Sequence, residues 1–511
     1  MPLISGFPLR QCLFHGKSKS IFRAAPRTGL LIAGLILLVS GALEAQPFPA
    51  LEPAPQAYEY AQRIAHNGGH WRDLAEASLW ASSVNAEPEA EGRAAAYLNQ
   101  IEAAVTELAA DLPDDVKERG EYILVFLHQR FLGAYSANQT RVDEIFTLGR
   151  YNCVSSAVLY MVLARSAGLD VQGVVTRDHA FATMNTGAEL IDVETTNRYG
   201  FDPGNRKEFL DAFGKTTGFA YTPVKNYRDR MTIGGAELIS LILANRISSL
   251  EDEKRYADAV PLAINRAVLL SGGAVQHGEL FNDPRKDMMR SIFNVGFHFI
   301  QTGKEDSAIA WAEYAEERFP DPAGWQDLYK TAVNNKLVKL IRAQKIPDAY
   351  SALAELQPKL SGEDYRELEA MVFDSEAVDK VNTVRNSAEA QAALAFLAQN
   401  GERLSPQRRN EMRTKVIMDE TERLRKARKS AEALSWLENA VRQYGANAKL
   451  ETALRTLRQD RIAELHNEFA GLYNKRQYEQ AKASIQRSLQ EFPGERALLQ
   501  DLNLVEKALQ Q

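Results

Sequence analysis

The sequence predicts an α+β core followed by an all-α repeat region. Three observations carry this. An apolar run, Cys153–Ala167, has helical periodicity and stops at Gly168, and three short alternating runs follow it. From about Ala236 to the end no strand pattern recurs, and helical periodicity is continuous. Within that stretch, small residues return at fixed offsets.

The elements follow in chain order. Residues 1–28 hold Arg10, Lys17, Lys19, Arg23 and Arg27 and no acid, and a run of about 14 apolar and small residues begins at Gly29. Ser40, Ala42 and Ala45 then offer small-residue cleavage sites, so 1–45 reads as a signal peptide for an exported, periplasmic or secreted protein. The run is short for a spanning helix, and an uncleaved membrane anchor is the alternative. Pro47, Pro49, Pro53 and Pro55 mark 46–56 as a linker. Residues 57–110 read as a helical segment, and Asp114-Asp115 opens a further helix running to Leu132. In 111–235, Val171–Thr176, Ala180–Met184 and Leu190–Val193 read as strands of an antiparallel sheet packed by the Cys153 helix.

Composition limits the function classes. The chain has 511 residues, 45% hydrophobic and 25% charged, which suits a globular protein of about three domains. Its 61 basic and 67 acidic residues give a net charge of −6, and loss of 1–45 takes this to about −10. A basic nucleic-acid binder is not expected. Of the two cysteines, Cys12 falls in the targeting segment, leaving Cys153 as the mature thiol, so no internal disulfide is expected.

Cys153 opens its helix, where the partial positive charge of the N-terminus favours a thiolate. A thiolate nucleophile needs an imidazole partner, and the imidazole an orienting acceptor. His179 and Asp192 follow in that order. Side chains alternate along a strand, so His179 and Asp192 share a sheet face only if the connecting loop is even. A four-residue loop at 185–188 sets His179 opposite Glu194, with Asp192 one diagonal away; Asp178, Glu194 and Asp202 are rival acids, and Glu194 shares the face. Alternatively, a lone cysteine on an apolar helix is inert core.

These residues carry a resemblance. The run Asn152-Cys153, then His179-Ala180-Phe181, then Asp192-Val193-Glu194-Thr195, over about a quarter of the chain, resembles the transglutaminase-like superfamily. The resemblance implies a papain-like fold and a triad of Cys153 as nucleophile, His179 as base and acid, and Asp192 as orienter. It also implies amide chemistry, by hydrolysis or by acyl transfer to an amine, without a cofactor. Phe181 stands where the family often has Trp, and Val193 where Pro is common.

The C-terminal residues 236–511 carry a second resemblance. Ala308, Ala315 and Pro320 are spaced like Ala433, Ala440 and Gly445 and like Ala481, Ser488 and Pro493. This resembles the tetratricopeptide pattern of about 34 residues, which implies a protein or peptide partner. An irregular helical bundle is the alternative. Other signals point to no site. Phe209 stands where a P-loop before Gly214-Lys215-Thr216 needs Gly. His66 and His70 flank glycines with no third ligand nearby, so no metal is expected. The run from Arg423 to Lys429 reads as a solvated helix face. The two functional expectations are thus an exported cysteine enzyme and an inactive scaffold of the same architecture.

Overall fold

Capping and apolar periodicity place the helices of the N-terminal part much as expected. In the computed structural model, which describes residues 48–66, 68–85, 92–177, 179–204, 206–218, 229–272 and 283–510, they are α1 (Pro55–His66), α2 (Trp71–Ser83), α3 (Ala94–Ala110) and α4 (Val116–Arg130). Asp115 caps α4 by accepting from the Lys117 and Glu118 amides. The targeting reading of 1–45 and the rival acid Asp178 lie outside the described residues. Among the described residues, no helix is long and apolar enough to cross a membrane.

Next come β1 (Ala134–Tyr135), α5 (Asp143–Leu148), β2 (Arg150–Tyr151) and α6 (Cys153–Ser166), with β1 and β2 pairing in parallel. Strands β3 (Asp170–Thr176), β4 (Ala180–Asn185) and β5 (Leu190–Val193) follow, then α7 (Lys207–Thr217) and β6 (Arg230–Ile233). The sheet is antiparallel in the order β5-β4-β3-β6. Strand β6 was not anticipated, because Arg230-Met-Thr-Ile233 is too short to show a period. Val171, Ala182, Met184 and Val193 on one face are fully buried, and α6 packs along β3 and β4.

The chain forms two compact units, divided between Ala332 and Val333. The first unit is more continuous than the expected boundaries at 56, 110 and 235. Val142 donates its amide to Ser82 of α2, and Arg246 donates to the carbonyls of Ala81 and Val84. The Pro-rich segment is no free linker in its described part. Phe48 lies 5.4 Å from Trp311 and 5.7 Å from Tyr314 between ring centroids, Leu51 is buried, and the Ala54 amide bonds Asn265 Oδ1. The prolines stiffen the segment, and its apolar side chains give it a docking surface.

From 235 the chain runs as helix pairs. They are α8 (Gly235–Asp252) with α9 (Tyr256–Leu269), α10 (Pro284–Gln301) with α11 (Glu305–Arg318), and α12 (Pro322–Arg342) with α13 (Ile346–Leu356). Then come α14 (Gly362–Asn382) with α15 (Ser387–Gln399), α16 (Pro406–Lys426) with α17 (Ser430–Tyr444), and α18 (Ala448–Asn474) with α19 (Tyr478–Glu491), before a last helix α20 (Arg496–Gln510).

One turn recurs inside these pairs. Lys254, Gly303, Gln344, Arg428 and Arg476 each take a left-handed φ between 59° and 71°. The next residue in each case donates its amide to a carbonyl five residues back, as Lys304 does to Phe299 and Lys429 to Leu424. Four residues further on sits an alanine. Ala259, Ala308, Ala349, Ala433 and Ala481 follow the turn in this way, Ala390 holds the matching place in its own pair without that turn, and all are 0% exposed, which lets the second helix press against its neighbours. Their separations are 49, 41, 41, 43 and 48 residues, longer than the tetratricopeptide period, because the first helix of each pair runs 18 to 27 residues.

Candidate active site

The site begins with the cap of α6. Asn152 is fully buried and extended, and its side-chain oxygen accepts from the Val154 and Ser155 amides, both at 3.0 Å. Ser155 Oγ accepts the Asn152 amide in return at 3.0 Å, completing a capping box. This fixes Cys153 at the first helical position, 6% exposed, where its amide has no intrahelical acceptor.

His179 stands at the mouth of β4. The turn before it closes through the Thr176 amide on the His179 carbonyl at 2.9 Å. The imidazole Nε2 lies 2.6 Å from Glu194 Oε2. The Cys153 thiol is near enough to the same ring to favour its charged form. The rings of Phe181 and Phe213 flank it at 6.0 and 6.2 Å. Burial works against a charge on His179, but Glu194 and the sulfur outweigh it and hold the imidazole pKa well above its usual value.

Glu194 is itself held. Its Oε1 accepts from Thr196 Oγ1 at 2.7 Å and from the Thr196 amide at 3.2 Å. The Glu194 amide donates to Gly200 O at 2.7 Å. Gly200 has no space for a side chain, since a Cβ there collides with the Glu194 carbonyl and lies 2.9 Å from Asn197 O. Three more groups clamp this loop onto α6 and its neighbours. Ser156 Oγ and Thr195 Oγ1 are 2.9 Å apart, Tyr151 OH donates to Thr196 O at 3.1 Å, and His128 Nε2 donates to Thr195 O at 3.0 Å. Burial lowers the His128 pKa to about 4 and pushes the Tyr151 hydroxyl up to about 12, so both are neutral donors at pH 7.

Asp192, expected beside His179, is engaged elsewhere. Arg230 grips both its oxygens, at 2.9 and 2.7 Å, reaching across the sheet from β6, and lies 5.5 Å from the Phe181 ring centroid. The loop between β4 and β5 is even, as required, but it spans 186–189, one residue later than expected. Thr183 therefore pairs with Asp192 and Phe181 falls opposite Glu194. This two-residue shift moves Asp192 away from His179 and brings Glu194 onto its diagonal. The structure thus gathers Cys153, His179 and Glu194, and leaves Asp192 outside. His128, Tyr151, Thr196 and Arg230 were not anticipated, because only the folded chain brings them to this loop.

The arrangement can move one proton between sulfur and imidazole while a buried carboxylate fixes the ring. Comparison of the chain with protein-family models, curated proteins and solved structures returns no match.

Proposed function

We propose that the protein is an exported thiol enzyme of transglutaminase-like, papain-like architecture acting on amide bonds. Cys153 is its nucleophile, His179 its acid and base, and Glu194, in place of Asp192, its orienting acid. In the first half-reaction Cys153 Sγ bonds to the amide carbonyl carbon, His179 gives its proton to the departing amine, and the C–N bond breaks. The acyl group then passes from sulfur to water or to an amine: the new C–O or C–N bond forms, the C–S bond breaks to free Cys153, and the nucleophile's proton returns to His179. The Cys153 amide is suited to stabilise the developing oxyanion. The helical pairs recruit the protein or peptide that carries the amide.

The observation that carries this reading is the buried Glu194 carboxylate bonded to the His179 imidazole, with the Cys153 thiol near enough to favour the charged ring. The 6% exposure of Cys153 favours the second reading, a scaffold that retains the constellation without turnover. Iodoacetamide alkylation of Cys153 followed against pH, in the wild type and in His179→Ala, separates them. An enzyme reacts fast at neutral pH and slows in the variant. A thiol that reacts slowly in both sinks the catalytic reading.

A further inference from the structure

Helix α16 is dense in charge, and most of it is matched. Arg408 forks onto Asp374 at 2.8 and 3.0 Å, Arg423 onto Glu420 at 2.6 and 2.7 Å, and Arg425 onto Glu422 at 2.7 and 3.0 Å. Lys415 pairs with Asp419 at 2.5 Å. Two arginines depart from this pattern. Arg409 and Arg413 lie four residues apart, on one face of the helix. Among the described residues neither side chain makes a hydrogen bond or an ion pair, and the Nε of each is buried without an acceptor.

Their surroundings are specific. The Arg413 guanidinium lies 5.4 Å from the Tyr444 ring centroid, at the end of α17. Arg409 lies against Gly401, and a Cβ at that position collides with Nη1. Burial, and then the charge of Arg409, push the Arg413 pKa down. Two like charges at this spacing repel, and buried donors without acceptors are costly. Neighbouring arginines on the same helix are all supplied with carboxylates, so the unmatched pair is a local exception.

We propose that Arg409 and Arg413 form an oxyanion-binding site, walled by Tyr444 and Gly401, that receives the carboxylates of an acidic peptide segment. Guanidinium groups bind carboxylate and phosphate through the same paired donors, so inorganic phosphate is the rival source of the oxyanion. The site is independent of the thiol chemistry, and Cys153→Ala leaves it unchanged.

Calorimetric titration of the full chain with acetylated triglutamate amide, with its triglutamine counterpart and with inorganic phosphate tests this. Triglutamate binds and triglutamine does not. The double variant Arg409→Gln/Arg413→Gln weakens triglutamate by about tenfold or more. The control Arg425→Gln/Lys426→Gln, which removes the same net charge from the same helix, leaves the affinity about unchanged. Equal losses in both double variants overturn the site, as does the absence of binding by either oxyanion. Binding of phosphate without triglutamate overturns the peptide assignment. Melting provides a second measure. The Arg409→Gln/Arg413→Gln protein melts no lower than the wild type, and triglutamate raises the Tm of the wild type only. A variant that unfolds shows the arginines to be structural and ends the proposal.

Discussion

Glu194 holds His179 with one carboxylate oxygen and Thr196 with the other, the imidazole Nε2 at 2.6 Å and the threonine hydroxyl at 2.7 Å. Neither oxygen is left to solvent, so the carboxylate has one orientation. The proposed role makes its charge the quantity to remove. Glu194→Gln keeps the volume, and a lone thiol is only a few per cent ionised at pH 7, so alkylation of Cys153 should fall by about tenfold or more. Asp192→Asn, which loosens Arg230 only, should leave the rate near the wild-type value. The reverse ranking would restore Asp192 as the orienter.

The His179–Glu194 contact makes stability depend on pH in a definite direction. In the unfolded chain the imidazole titrates near about 6.5. Burial opposes its charge in the fold, but Glu194 and the sulfur raise its pKa well above that value. The contribution is therefore complete below about pH 6.5 and is lost as pH climbs through the folded value. The Tm difference between the wild type and His179→Gln should shrink on the alkaline side. A difference that widens with rising pH contradicts the assignment.

His128 acts in the opposite sense. Its folded pKa is lowered to about 4 by burial. Its contribution is present above about pH 6.5 and is lost as pH falls towards 4. Linkage over that span is worth roughly 3 kcal/mol. Acid titration of the Tm should show this loss in the wild type, and His128→Gln should flatten it. An unchanged acid limb in the variant would mean that other groups govern acid unfolding.

Gly200 tests the loop that carries the acid. A Cβ there meets backbone on two sides, the Glu194 and Asn197 carbonyls. Backbone yields less readily than a side chain, so Gly200→Ala should cost about 1–3 kcal/mol and slow Cys153 alkylation together. Denaturant unfolding measures the first and mass spectrometry the second. A stable variant with a slowed thiol would still tie the loop to the site; a stable one with a normal thiol would not.

Ala349 tests the helix-pair seam. It is fully buried four residues beyond a turn shared with other pairs. Ala349→Leu should cost about 1–3 kcal/mol by overpacking. The same change at exposed Ala388 should cost little. Thermal melts of the two proteins make the comparison.

Much of the first unit was legible because its signals are local. The apolar run after Cys153, its stop at Gly168 and the alternation in 171–193 each fix an element without help from distant residues. Face parity was legible too, since it depends only on whether the loop is even. The choice between Glu194 and Asp192 was not. It turns on Asn185 ending a strand instead of opening a loop, which is settled by its side-chain bond to Asp170 at 3.0 Å and by Thr186 closing on Glu189. Arg230 lies 38 residues from Asp192, and no periodicity signals that pairing. The small-residue spacing of the second helices was readable, whereas the pair length was not, because it is set by first helices that extend beyond the alanine seam.

The shared alanine position makes the helix pairs exchangeable parts. Excising 349–389 brings Ala390 to the place of Ala349 after Asp348, so the shortened chain presents the same small residue at the same offset from the preceding turn. In an array stabilised by neighbouring interfaces, such a deletion removes one unit and rejoins two compatible edges. The number of pairs can then change in whole steps while the helix and sheet around Cys153 keep their own core.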